Sequence, residues 1–139
     1  MSELERRIQV ATDAIHTAFT CGGYEFFVSG SSAILGTIST DVDVVVYAGD
    51  FDERVASLAC SCLAVSGWDA PATEYSVSLW ISFKKNIDGV LVNILLCNSR
   101  TVYDQAASAL VACKQLAAAG VTVDKQLRVA IHRDIMGEA

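Results

Sequence analysis

A chain of 139 residues, 53% of them hydrophobic and 19% charged, is one domain in size and carries enough apolar side chains to build its own core. That balance excludes a disordered tail or a charged linker. A net charge of −6 argues against broad nonspecific nucleic-acid binding, because an acidic surface repels phosphate backbones.

The chain opens with a predicted helix. Ser2 and Glu5 have capping-box spacing, and Leu4, Ile8, Ala11, Ile15 and Phe19 recur on one face. Cys21-Gly22-Gly23 is its predicted stop. Tyr24 to Val28 reads as a strand. Ser29-Gly30-Ser31-Ser32 interrupts it, and Ala33-Ile34-Leu35 fits one helical turn before Gly36. Asp41 to Tyr47, β-branched and apolar apart from two acids, reads as a buried strand. Asp50 and Glu53 are placed to cap a helix running to about Ser66, with Val55, Leu58, Cys62 and Leu63 inward. A loop at 67–73 holds the single proline, Pro71. Tyr75 to Phe83 then alternates strictly, with Trp80 on the face opposite Tyr75, Ile81 and Phe83. Trp80 fits either beneath a helix or on a binding surface.

Asn86-Ile87-Asp88-Gly89 reads as a turn leading into a strand from Val90 to Leu96, so the pair is a hairpin. Lys84-Lys85 reads as its solvated end. Two helices close the chain, from about Thr101 to Ala119 and from about Asp124 to Met136, with Gly137 as the stop. On the last helix Lys125, Arg128 and His132 share a face, read as a salt-bridged surface with contact to a triphosphate as the rarer alternative. The fold class expected is α+β: a single domain over 1–139, with a small mixed four-stranded sheet, a hairpin in the C-terminal half and about four flanking helices.

The longest run without a charged residue, Phe26 to Thr40, is fifteen residues and contains six Ser or Thr. A membrane span needs about 20 mostly apolar residues. The N-terminus lacks an apolar stretch behind a basic start, so the expected location is cytoplasmic, with no membrane association. The five cysteines are an odd number, with no CxxC pair. They are read as small buried apolar residues rather than a disulfide framework or a zinc site.

One stretch carries chemistry. Asp41 and Asp43 are two apart on a strand, so both carboxylates leave the same face and can reach one hard cation. Two acids on an otherwise apolar strand are expensive unless a cation or donors meet them. Upstream, Gly30-Ser31 can offer backbone N–H groups and a hydroxyl to a phosphate. A phosphate cradle beside a divalent-cation site is the equipment of phosphoryl or nucleotidyl transfer.

Gly30-Ser31, nine residues, then Asp41-Val42-Asp43-Val44, with Ala33, Gly36 and Thr40 between, resembles the signature of the polymerase-beta-like nucleotidyltransferase superfamily. The minimal single-domain and phage-encoded members are the most similar. The resemblance covers roughly residues 24–97. It implies that Asp41 and Asp43 bind Mg²⁺ (or Mn²⁺), that Gly30, Ser31 and Ser32 hold a nucleoside triphosphate, and that a nucleotide monophosphate moves to a hydroxyl of a protein, RNA or small molecule. It also implies a third acid on a later strand. The matching position is Asn93, which carries no charge and takes no proton, and is either a hydrogen bonder behind the site or a lost catalytic acid. Many minimal members place an arginine after Gly-Ser, where this chain has Ser32, Ile34 and Leu35. The expectations are therefore an Mg²⁺-dependent nucleotide binder with Asp41, Asp43 and Asn93 at its catalytic position, a degenerate relative that binds a host or partner protein, or a nucleotide sensor without turnover.

Overall fold

The computed structural model describes residues 1–19, 23–36, 41–69 and 80–136. Their elements are α1 (Glu3–Ala18), β1 (Glu25–Ser29), α2 (Gly30–Ile34), β2 (Asp41–Tyr47), α3 (Glu53–Val65), β3 (Trp80–Ile87), β4 (Val90–Cys97), α4 (Arg100–Ala118) and α5 (Lys125–Met136). The predicted stops at Cys21-Gly22 and Gly137, the loop residues Pro71 to Thr73, and Tyr75 to Leu79 of the alternating strand lie outside the described residues.

Side-chain oxygens set the helix starts. Ser2 accepts from the Glu5 N–H, Ser99 from Val102 and Asp124 from Leu127. At α3 the cap is Asp52, which accepts from Arg54 and Val55, rather than Asp50. Asp50 instead accepts from the Tyr47 hydroxyl and the Arg100 N–H, tying the end of β2 to the start of α4. The helix after β1 also starts earlier than its apolar residues suggest, at Gly30 itself.

The sheet is mixed, in the order β1-β2-β4-β3. β1 runs antiparallel to β2, β2 parallel to β4, and β4 antiparallel to β3. The hairpin is tighter than predicted. Asn86 and Ile87 belong to β3, and only Asp88 and Gly89 turn the chain, with φ of 50° and 79°. Two positive φ values are what a two-residue type I′ turn requires, and Asp-Gly supplies them. Lys84 and Lys85 are therefore strand residues. Lys84 is exposed, whereas Lys85 donates to the Ser66 carbonyl at 2.7 Å and lies over the Trp68 ring.

Strand alternation splits the interior into two layers. On one face Val42, Val44 and Val46 join Ile81, Phe83 and Ile94, covered by Ala11 and Ile15 of α1 and Ala56 and Leu63 of α3. On the other, Val45 and Cys97 meet Val102, Tyr103 and Ala106 of α4. Leu127 and Ile131 of α5 pack against a third cluster of Ile34, Leu110, Cys113 and Val123.

The inward face of α3 differs from expectation. Leu63 is buried as expected, but Val55, Leu58 and Cys62 are exposed, while Ala56 is buried and Ala59 and Cys60 pack partly against the core. The 3.6-residue period fits both faces, and only contact with the sheet chooses between them. Cys62 likewise breaks the expectation of buried cysteines. Cys97 and Cys113 meet it, and burial pushes the Cys97 thiol up to about 12. Among the described residues no helix is long and apolar enough to cross a membrane.

Candidate functional site

The register lines up one row of polar side chains across the sheet. Ser29 pairs with Asp43, Asp43 with Asn93, and Asn93 with Lys84. Asp41 stands two residues along β2, roughly 6.6 Å from Asp43 at the Cα atoms, and on the same face. The two acids predicted to work together thus border one pocket, with Gly30 and Ser31 as neighbours in its wall.

Asp43 is held from two sides. The Ser82 hydroxyl donates to Asn93 Oδ1 at 2.7 Å, and Asn93 Nδ2 donates to Asp43 Oδ1 at 3.0 Å. The Asn93 carbonyl is thereby committed to Ser82, and its amino group faces the carboxylate. Asn93 positions Asp43 and has neither a charge nor a free lone pair to offer in that direction. On the other side is Gly30. A Cβ there would stand 2.5 Å from Asp43 Oδ2, and Gly30 has a φ of +68°. Gly30→Ala is therefore expected to destabilise the protein by about 1–2 kcal/mol from backbone strain alone. The same change should displace the Asp43 carboxylate and weaken cation binding. Urea unfolding and a Mn²⁺ titration check the two effects separately.

Burial is the largest influence on Asp43 and holds its carboxyl above the ordinary value. The Asn93 hydrogen bond opposes the rise, Asp41 adds to it, and Arg128 and Lys84 oppose it. A cation beside Asp41 and Asp43 would relieve that burden. The pair fits Mg²⁺ chemistry, in which one or two carboxylates, waters and substrate phosphates share the ion. Among the described residues no group of three or more His, Cys, Asp and Glu could hold a metal, so these two acids would depend on ligand phosphates to complete the shell.

The last helix brings further charged residues to this pocket. Lys125, Arg128, His132 and Arg133 of α5 line the same pocket, whose volume is about 490 Å³. Arg128 Nη1 is buried and has no hydrogen-bond partner among the described residues. His132 Nδ1 lies 2.9 Å from the Arg128 carbonyl. A carbonyl only accepts, so Nδ1 carries the proton, and a neutral His132 keeps its lone pair on Nε2. Sequence spacing marked Lys125, Arg128 and His132 as one face but not what that face meets. The structure places it in the wall of the pocket that Asp41 and Asp43 border, and among the described residues it forms no salt bridge. Ser32 is buried and is not among the residues lining the pocket, while Trp80 is. A larger cavity of about 800 Å³ lies on the opposite face of the sheet, between α1, α3 and Trp68, away from the acid pair.

No family model matches the chain, and no curated protein does. In shape it is similar to the conserved protein GrpB from Enterococcus faecalis. The TM-score is 0.54 at 13% sequence identity, over 99% of this chain and 93% of that one. More distant similarities are to terminal uridylyl transferase 4 from Trypanosoma brucei. With bound CTP the TM-score is 0.46 at 11% identity, over 96% of this chain and 52% of that one. With bound UPU it is 0.43 at 14% identity, over 75% and 37%. The first likeness extends over nearly the whole of both chains and concerns the fold alone, a single α+β domain.

Proposed function

We propose that the pocket binds a nucleoside triphosphate together with Mg²⁺ (or Mn²⁺), and that binding rather than fast turnover is what the site is built for. The observation that carries this reading is Arg128. A buried guanidinium nitrogen without a hydrogen-bond partner among the described residues, in the wall that holds Asp41 and Asp43, asks for an anion. Two acids and three permanent cations around one cavity suit a ligand with a divalent cation at one point and several phosphate charges beside it. Arg128 thus takes the place of the arginine missing after Gly30-Ser31.

In this reading Asp41 and Asp43 hold the cation, Gly30 and Ser31 face the phosphates, and Lys125 and Arg128 neutralise their charge. The bound cation would supply charge neutralisation and in-line positioning for nucleotidyl transfer. Asn93 stands where a third carboxylate would orient an acceptor hydroxyl, and its amide is already committed to Ser82 and Asp43. That commitment favours a second reading, in which the chain keeps the scaffold without turnover and acts by binding a partner protein.

Thermal unfolding with Mg²⁺ and each nucleoside triphosphate tests the proposal. A ligand at 100 times its Kd adds about 2.7 kcal/mol, which raises the Tm by roughly 10 °C for a chain of this size. The expected result is such a rise with Mg²⁺ and nucleotide together. No rise with any nucleotide up to millimolar concentration would remove the binding site and leave the partner-binding reading.

A further inference from the structure

The pocket has two chemistries at two places. Its charged wall comprises Asp41, Asp43, Lys125 and Arg128, whereas Ile34, Trp80, Leu95 and Val129 give it an apolar lining. The register sets Leu95 and Trp80 apart from Asp43 along the sheet. Leu95 is two residues beyond Asn93, the partner of Asp43, and Trp80 pairs with Cys97, two residues further. At about 3.3 Å per residue, the Trp80 row lies on the order of 13 Å along the strands from the Asp43 row.

Trp80 is half-buried. It packs against the cluster of Val45, Cys97 and Val102 and also borders the cavity. Apart from the His132 imidazole, it is the one aromatic ring among the described residues that line this pocket. A nucleoside triphosphate has the same polarity as the pocket, with phosphates at one end and a flat apolar ring at the other.

We propose that Trp80 is the stacking platform for the nucleobase, at the apolar end of the pocket that receives the triphosphate. This rests on the nucleotide-binding reading above and adds a specificity to it. Every base has a π-face, so stacking accepts all four, and the larger purine rings cover more of the indole than pyrimidines do.

Calorimetric titration with Mg²⁺ and either inorganic triphosphate or each nucleoside triphosphate separates the two claims. Wild type is expected to bind all four nucleotides within about tenfold of one another, purines first. It should bind each about 5- to 150-fold more tightly than inorganic triphosphate, the range for one stacked base. Trp80→Ala should remove that margin while leaving inorganic triphosphate binding unchanged. Trp80→Leu keeps apolar bulk against Val45 and Val102, so it guards against loss of folding, and it should remove most of the margin. Trp80→Phe should keep most of it.

Equal binding of nucleotides and inorganic triphosphate by wild type would overturn the stacking role while the triphosphate site stands. So would a margin that survives in Trp80→Leu, or one nucleotide preferred more than 100-fold. Failure of wild type to bind either ligand would overturn both readings.

Discussion

Replacing Asp41 and Asp43 together by asparagine is expected to erase the Tm rise that Mg²⁺ and a nucleoside triphosphate produce, a loss of roughly 10 °C at saturating ligand. The same variant is expected to melt above wild type at pH 7 when no ligand is added. The reason is the buried Asp43 carboxyl, held above its ordinary value chiefly by desolvation. A carboxyl raised on folding contributes stability that is complete below its unfolded value, about 3.9, and that is lost as pH rises through the folded value. At pH 7 the charge is a burden. Asparagine carries no charge and still accepts from Asn93 Nδ2. The gap between variant and wild type should therefore be widest at neutral pH and close as pH falls towards 4. Calorimetric scans from pH 4 to 8 measure it, and a gap independent of pH would show that Asp43 is not the source. Sites built for a ligand commonly trade stability in this way.

The second large effect is expected at Asn93. Asn93→Asp removes the Nδ2 donor to Asp43 Oδ1 and sets a second carboxylate against the first in the same row. Without a divalent cation the variant should lose about 3 kcal/mol at neutral pH, the lower end of what an uncompensated buried charge costs. Millimolar Mg²⁺ should restore much of that loss while changing wild type little in the absence of nucleotide. Denaturant unfolding with Mg²⁺ or with EDTA reads both. An Asn93→Asp protein as stable as wild type in EDTA would mean that residue 93 and Asp43 do not share a site. The variant also tests whether the lack of a carboxylate at position 93 limits transfer. A transfer reaction seen with labelled nucleotides in a lysate should then rise by about 10²-fold.

Local chemistry was legible in the chain. The Ser2 cap, the Asp88-Gly89 turn, the alternation that sends Asp41 and Asp43 to one face, and the strand and helix order all follow from interactions within a few residues. Element ends were less so. Asp52 rather than Asp50 caps α3, because Asp50 is taken by Tyr47 and Arg100, a partner fifty residues away. Leu63 is buried as its spacing predicts, but the rest of the inward face of α3 was misread for a related reason: Val55 and Leu58 are the more hydrophobic choice, yet the sheet takes Ala56.

By itself the amino-acid order determined the fold class, the paired acids and the Gly-Ser bend beside them, because spacing of two, three or four residues already specifies which side chains share a face. Only the tertiary structure decided that the cations of α5 line the same pocket as those acids, that Asn93 turns its amino group to Asp43, and that Trp80 borders the same cavity. These are meetings between segments as far apart as residues 30, 43, 80, 93 and 128. Whether such groups meet depends on how helices pack on the sheet, and local periodicity carries no record of that.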